Sequence, residues 1–347
     1  MGGVVVSHSV TVSGQDGAFP GAPDRSVLES ALRANRWLPH ACSQGTCGTC
    51  KIRVLCGEVD HGRPDETILS EAERSSGLTL ACQATPRTDL VVAPVNDAAP
   101  DRPLHALRDY RGTVRELCDI ADRTRRLVVE LDEPMEFEAG QYAELLVPGS
   151  GTARQYSMAN APSESRRLEF HVKCVDGGAA TEGWVFGPLQ VGERIDLRGP
   201  LGQFGVVEPR QEAAILVGGG TGLAPLKSIA LHALANDLIP SIDLYHGGRG
   251  RADLYDVDFF RALEAADARF RYHPVLSEEE WDGATGMVTD AVLEDFASCK
   301  GYSAFLCGPP AMVAAAVKAL KRRRMSPRLI FREEFTASPA RPEVAPV

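Results

Sequence analysis

Cysteines at the spacing Cys42-x4-Cys47-x2-Cys50, with thirty-one residues between Cys50 and Cys82, constrain this chain more than any other feature. Two irons bridged by two sulfides need four thiolates converging on one small volume. Here three come from one tight loop, and the fourth must return from a distant segment. The spacing is that of a plant-type [2Fe–2S] cluster. Gly45 and Gly48 fall where the chain has to wrap closely, which glycine does without steric cost. A zinc site would present two short cysteine pairs, and the second pair is missing. Disulfides suit thiols this close less well, and nine cysteines is an odd count. Cys42, Cys47, Cys50 and Cys82 are therefore read as metal ligands, and the chain as a one-electron carrier.

At 347 residues the length suggests two or three domains. Hydrophobic content of 44% and charged content of 24% are ordinary for a globular protein. No apolar run approaches the ~20 residues that span a bilayer. The start, Met-Gly-Gly-Val-Val-Val, lacks a charged n-region, and Val6 departs from the myristoylation pattern. The expectation is a cytoplasmic redox protein without a membrane partner. The net charge of −10 is spread along the chain, leaving no basic domain for nucleic acid. Lys321-Arg322-Arg323-Arg324 follows the helical stretch 312–320, where cations favour a helix C-terminus.

Three segments follow in order. Residues 1–98 alternate apolar and polar at Val4, Val6, Val10 and Val12, as a half-buried strand does. A helical stretch over 26–35 then leads into the cysteine loop, with strands at 51–54 and 78–83. The run from Pro94 to Pro103 predicts a linker, placed at 99–108. From 109 to 208, short strands at 112–114, 126–131, 142–147, 168–173 and 194–197 suggest a sandwich or barrel. From 209 to 337 the rhythm becomes strand–helix alternation, which implies a parallel sheet with strands at 213–217, 242–245, 270–275 and 304–306. The tail 338–347, rich in Pro and Ala, reads as disordered.

The strand at 213–217 runs into Gly218-Gly219-Gly220-Thr221-Gly222-Leu223-Ala224-Pro225, followed by a helix to about residue 235. Glycines between a strand and a helix let the backbone approach a pyrophosphate at the helix N-terminus. Pro225 stands where the usual dinucleotide fingerprint has its last glycine, and proline suits a first helical turn.

The cysteine loop, Arg154-Gln155-Tyr156-Ser157, the 220–225 loop and Cys307-Gly308-Pro309-Pro310 occur in an order that covers nearly the whole chain. Together they resemble the ferredoxin–NAD reductases that serve as reductase components of multicomponent oxygenases. The resemblance implies a multidomain α+β and α/β protein: a β-grasp [2Fe–2S] ferredoxin domain, an antiparallel β-barrel FAD domain and a parallel-sheet Rossmann-like NAD domain. It implies that Arg154 pairs with the flavin pyrophosphate, that Tyr156 packs on the flavin and that Ser157 hydrogen-bonds near its N5. Gln155 lies in the same segment. Backbone at His171, Val172 and Lys173 would contact the flavin, as would the segment holding Gly178 and Thr181, where relatives often carry Ser. Gly220, Thr221, Gly222 and Pro225 would receive the nucleotide. Cys307, with Gly308 and Pro309, would stand beside the nicotinamide, and Phe335 would cover the flavin. Ser157, Cys307 and Phe335 are the expected catalytic residues.

The cofactors expected are thus [2Fe–2S], FAD and NADH. A flavin reconciles hydride transfer, which moves two electrons, with a cluster that accepts one. NADH is favoured over NADPH because Asp253 and Asp256 would repel a 2′-phosphate, although Arg249 and Arg251 lie nearby. The segments 156–160, 281–286 and 331–335 most resemble reductases of soluble diiron monooxygenases. The expected partner is therefore a diiron hydroxylase, with a Rieske-type ring dioxygenase as the alternative and a non-enzymatic carrier or scaffold as the alternative of another class. A monomer is expected.

Overall fold

The computed structural model describes residues 7–95 and 105–335. The expected strand positions Val4 and Val6, linker residues 99–104 and the tail 338–347 lie outside the described residues. Residues 105–107 are irregular, and a strand begins at Arg108. Contacts divide the chain into two units. One holds residues up to Arg108 with Gly199–Gln203; the other holds Asp109–Arg198 and the chain from Phe204 onward.

The first unit contains β1 (His8–Val12), β2 (Ala18–Gly21), α1 (Val27–Arg33), β3 (Lys51–Cys56), β4 (Val59–Asp60), α2 (Glu71–Ser75), β5 (Leu78–Leu80), β6 (Thr85–Pro86) and β7 (Leu90–Pro94). Five strands form a sheet in the order β2-β1-β7-β3-β5, and β1 pairs parallel with β7 while the hairpins are antiparallel. This is the β-grasp arrangement expected. Helix α1 starts where Ser26 Oγ accepts from the Glu29 N–H at 3.0 Å, satisfying an end donor. It buries Val27, Leu28, Ala31 and Leu32, as the sheet buries Val10, Ile52 and Val92.

In the second unit, β8 (Arg108–Ala121), β9 (Thr124–Leu131), β10 (Tyr142–Val147), β11 (Thr152–Ser157), β12 (Arg167–Lys173) and β13 (Arg194–Leu201) form a six-stranded sheet in the order β11-β10-β13-β8-β9-β12. A single antiparallel bridge, Met158 to Phe170, joins the two edge strands and closes the sheet into a barrel. Val114, Leu127, Val129, Leu145, Phe170 and Leu197 are among the side chains filling it. Strand β8 is far longer than the three residues expected. Its register shifts at Val114/Glu116 and Asp119/Ala121 break the alternation that a sequence pattern relies on.

The chain then alternates through β14 (Ala213–Gly219), α3 (Leu223–Ala235), β15 (Ile242–Gly248), α4 (Val257–Ala266), β16 (Phe270–Leu276), β17 (Ala284–Thr285), α5 (Val288–Asp295), β18 (Tyr302–Gly308), α6 (Pro310–Arg322) and β19 (Ile330–Glu334). The sheet is parallel, ordered β17-β16-β15-β14-β18-β19, with a separate apolar core on each face. Strand order reverses at β14, so the carboxyl ends of β14 and β18 form the switch point where ligands bind in such sheets. Among the described residues no helix is long and apolar enough to cross a membrane.

Candidate redox site

The cysteine loop runs through residues 41–50 without regular structure. Ser43, Gly45 and Gly48 have φ of 50°, 84° and 73°, so the loop winds through left-handed conformations. A Cβ on Gly45 would come within 2.9 Å of the Gln83 side chain. Cys50 Sγ and Cys82 Sγ lie 3.1 Å apart, and Gln44 N–H points at Cys42 Sγ from 3.4 Å. The backbone around Cys82 is held by α1: Leu28 N–H donates to Ala81 O and Val27 N–H to Ala84 O, both at 2.8 Å. A hydrogen bond from the Cys47 thiol holds Cys42 below the ordinary thiol range where these cysteines crowd together. Donor type, closeness and glycine cradle fit an iron–sulfur cluster, with Cys42, Cys47 and Cys50 on the loop and Cys82 brought to it from the segment after β5.

The barrel carries the second set. Past the Met158–Phe170 bridge, β11 and β12 make no further pairs, so Arg154–Ser157 and His171–Lys173 border an open seam. Backbone edges that the sheet leaves unpaired need another partner. Tyr156 is half-buried against the barrel core, and burial pushes its hydroxyl up to about 12, so it stays neutral. Gln155 Nε2 donates to Tyr142 Oη at 3.4 Å and Glu144 Oε1 at 3.3 Å, tying β11 to β10. Ser157 is buried. Gly178 and Thr181 sit in a loop leading to a π-helical turn at Thr181–Val185. The Thr181 hydroxyl donates to Val175 O at 3.1 Å and accepts from Val175 N–H at 3.0 Å, so this side chain shapes the loop.

At the switch point the two nucleotide motifs meet: Gly218 is the register partner of Cys307. A Cβ on Gly222 would stand 2.2 Å from Cys307 O, so glycine is required for this close approach. Around Gly220 (φ 55°) nothing lies within 4 Å of a would-be Cβ, leaving space for a ligand. Thr221 completes the turn, and Pro225 lies buried in the first turn of α3. Pro309 caps α6, and Phe335 N–H donates to Gly308 O at 2.9 Å, bringing the last described residue beside the Cys307 turn. Burial pushes the Cys307 thiol well above its ordinary value.

Glu333, the register partner of Cys307 on β19, carries no mark in the sequence. Its Oε2 is buried without a hydrogen-bond partner, and burial raises the carboxyl from 4.5 to about 7. A raised carboxyl favours the folded state when protonated. That stabilisation is complete below pH 4.5 and lost as pH rises through 7. Glu333→Gln is expected to match the parent near pH 5 and to melt higher at pH 8, by on the order of 5 °C. Thermal unfolding across that range checks this; a gap that does not widen with pH would contradict it.

A second group unmarked in the sequence surrounds Lys227, one turn into α3 and 5% exposed. Its Nζ donates to Glu169 Oε1 at 2.9 Å and Asp256 Oδ2 at 2.7 Å, and sits 4.6 Å from the Phe259 ring centroid. Arg126 pairs with both carboxylates. His171 Nε2 lies 2.8 Å from Glu169 Oε1, and its Nδ1 lies 3.1 Å from Tyr255 Oη, which donates to Gly220 O at 3.1 Å. Burial pushes His171 down, opposed by Glu169. Burial works to raise Glu169, but His171 and Lys227 hold it well below the usual carboxylate range. Ligand atoms of Glu169, His171 and Asp256 lie within 4.8 Å of one another, an arrangement able to hold a cation; the cation held there is the Lys227 ammonium.

Three family models match the chain in order: a 2Fe-2S iron-sulfur cluster binding domain over residues 10–87, an oxidoreductase FAD-binding domain over 111–205 and an oxidoreductase NAD-binding domain over 216–318. The chain belongs to the ferredoxin–NAD reductase family, as an oxidoreductase with [2Fe–2S], FAD and NAD domains. It is 53% identical over 319 residues to the reductase subunit of an aromatic O-demethylase from Amycolatopsis sp., covering 90% of this chain and 95% of that protein. The reductase component of a phenol 2-monooxygenase from Pseudomonas sp. is 40% identical, with 95% of each chain covered. Among solved structures, an Amycolatopsis cytochrome P450 reductase superposes with a TM-score of 0.90 at 51% identity, over 95% of this chain and 99% of that one.

Proposed function

We propose that this chain is the NADH-dependent reductase component of an oxygenase acting on aromatic compounds, and that its acceptor is a cytochrome P450. The observation that carries the redox reading is the meeting of the glycine loop and Cys307 at the switch point, in a chain whose barrel has an open seam. The relatives support the acceptor: the one at 53% identity serves an aromatic O-demethylase, and the structural neighbour at 51% is a cytochrome P450 reductase. When bound, FAD and the cluster convert a two-electron donor into single electrons. The residues place and shield these groups. Arg154 matches a pyrophosphate, Tyr156 offers a face for a flat ring, and Ser157 supplies a buried hydroxyl. His171, Val172 and Lys173 offer the strand edge across the seam, with Gly178 and Thr181 forming the loop beyond. Gly220, Thr221, Gly222 and Pro225 present backbone donors and a helix N-terminus to the NADH pyrophosphate. Cys307, Gly308, Pro309 and Phe335 flank the reacting rings.

NADH is supported over NADPH by how the arginines are engaged. Arg251 Nε pairs with Glu279 Oε1 at 3.0 Å, and Arg249 Nε lies 3.8 Å from Asp253 Oδ2, a carboxylate that also accepts from the backbone N–H groups of Arg249 and Gly250. A 2′-phosphate there would meet carboxylates. The diiron hydroxylase expected from the sequence stands as the second reading, favoured by the 40% identity to the phenol 2-monooxygenase component.

Anaerobic capture of the oxygenase from the native host, followed by titration with this protein and NADH, tests the acceptor. The expected result is reduction of a haem that then binds carbon monoxide with the thiolate-ligated signature. A captured protein with a carboxylate-bridged diiron centre would transfer the function to the second reading. A Rieske signal would overturn both in favour of ring dihydroxylation.

A further inference from the structure

We propose that Lys227 and Tyr255 are positioning residues, which clamp the dinucleotide loop onto flavin-edge strand β12 and so set how the nicotinamide approaches the flavin. Both ends of that loop are tied to the barrel. At its start, Gly220 O accepts from Tyr255 Oη, which also contacts His171 on β12. At its end, one turn into α3, Lys227 Nζ reaches Glu169 on β12 and Ser228 Oγ donates to Asn160 O at 2.7 Å, three residues past Ser157. Asn160 is itself fixed to β12, because its Oδ1 accepts from the Glu169 N–H at 2.9 Å. Glu169 Oε1 is the common point, contacted by Lys227, His171 and Arg126 at 2.9, 2.8 and 3.2 Å. Two cations, Lys227 and Arg126, face Glu169 and Asp256, and Arg126 also reaches Glu116 at the group's more exposed edge at 3.6 Å.

Apolar contact would hold two lobes together at less desolvation cost than buried ion pairs. What directed bonds add is one permitted geometry. That geometry matters here because a misplacement of about 1 Å between reacting groups can cost ~10²-fold in rate. The inference rests on assigning β11 and β12 to the flavin.

The test compares K227M and Y255F holoenzymes with the parent in stopped-flow reduction of the flavin by NADH. The limiting rate is expected to fall about tenfold or more, with the half-saturating NADH concentration within about twofold, and K227R to recover most of the loss. A second readout needs no turnover. Hydrogen–deuterium exchange of the oxidised protein without NADH should quicken together in 167–173 and 220–228, while the barrel and sheet cores stay protected. Should K227M not accumulate with flavin, Y255F, which removes one oxygen, decides alone. Limiting rates within twofold of the parent, or faster exchange spread over the whole unit, would overturn the clamp. An Arg154→Ala protein that keeps its flavin would instead overturn the seam assignment beneath it. If that variant loses flavin while K227M and Y255F reduce at the parental rate, the clamp alone is wrong.

Discussion

Serine at Cys82 is expected to abolish the [2Fe–2S] absorbance and electron delivery to the oxygenase, while NADH-driven reduction of ferricyanide persists. A cluster of two irons needs four thiolates, and a hydroxyl is a poor substitute for a soft sulfur ligand. The change is local. The N–H groups of Val27 and Leu28 bond to Ala84 O and Ala81 O, and these backbone bonds do not involve the Cys82 side chain. The flavin and nucleotide domains have cores of their own in the other unit, so their hydride chemistry does not require an intact cluster loop. Iron and acid-labile sulfide analysis, electron paramagnetic resonance of the reduced protein and paired assays with ferricyanide and the oxygenase measure the split. Cys56→Ser, at the exposed end of β3, serves as the control that keeps its cluster. Full iron and sulfide in the Cys82→Ser protein would sink the ligand assignment.

What can be read from the chain alone follows from how far apart the cooperating residues are. The cysteine loop and glycine loop are local, with their chemistry written into residue type and short spacing. The stretch at 213–217 runs apolar without interruption, those at 126–131 and 142–147 are apolar but for one or two charged residues, and the structure has strands at all three. Long-range pairings leave no such trace. Lys227 reads as an ordinary helix lysine; its partners lie on β12 and before α4, and its burial arises only when the chain folds. Glu333 sits among other charges in Arg332-Glu333-Glu334, and nothing but register sets it against Cys307. The open seam is equally hidden, because it consists of backbone pairs that β11 and β12 do not make. Strand β8 reads as three residues because its two register shifts scramble a period-two pattern. The segments expected at the flavin are recognisable as short motifs, whereas the seam that brings them together belongs to the folded barrel.

Arg154→Ala is the other change with a large expected effect, and it acts on cofactor retention. Arg154 is half-buried on β11 beside the seam, and among the described residues its Nη1 bonds locally, to Ala153 O at 2.9 Å. Little of the barrel's own stability therefore depends on it, since the core is filled by Val114, Leu127, Leu145 and Phe170. A guanidinium meeting a phosphate makes charge-assisted, two-pronged hydrogen bonds, each contributing about 1.5–3 kcal/mol. Losing both, about 3–6 kcal/mol, would weaken flavin binding by roughly 10²- to 10⁴-fold, at 1.4 kcal/mol per factor of ten. The purified variant is expected to emerge brown from its cluster but depleted in flavin, and to regain NADH-driven ferricyanide reduction when FAD is added. Arg154→Lys should recover only part, because a point charge keeps attraction but not the fork. Flavin stoichiometry after gel filtration, followed by titration with FAD, measures the loss. Parental retention in the alanine variant would mean that the pyrophosphate lies elsewhere than along the seam, and with it the orientation assigned to Tyr156 and Ser157.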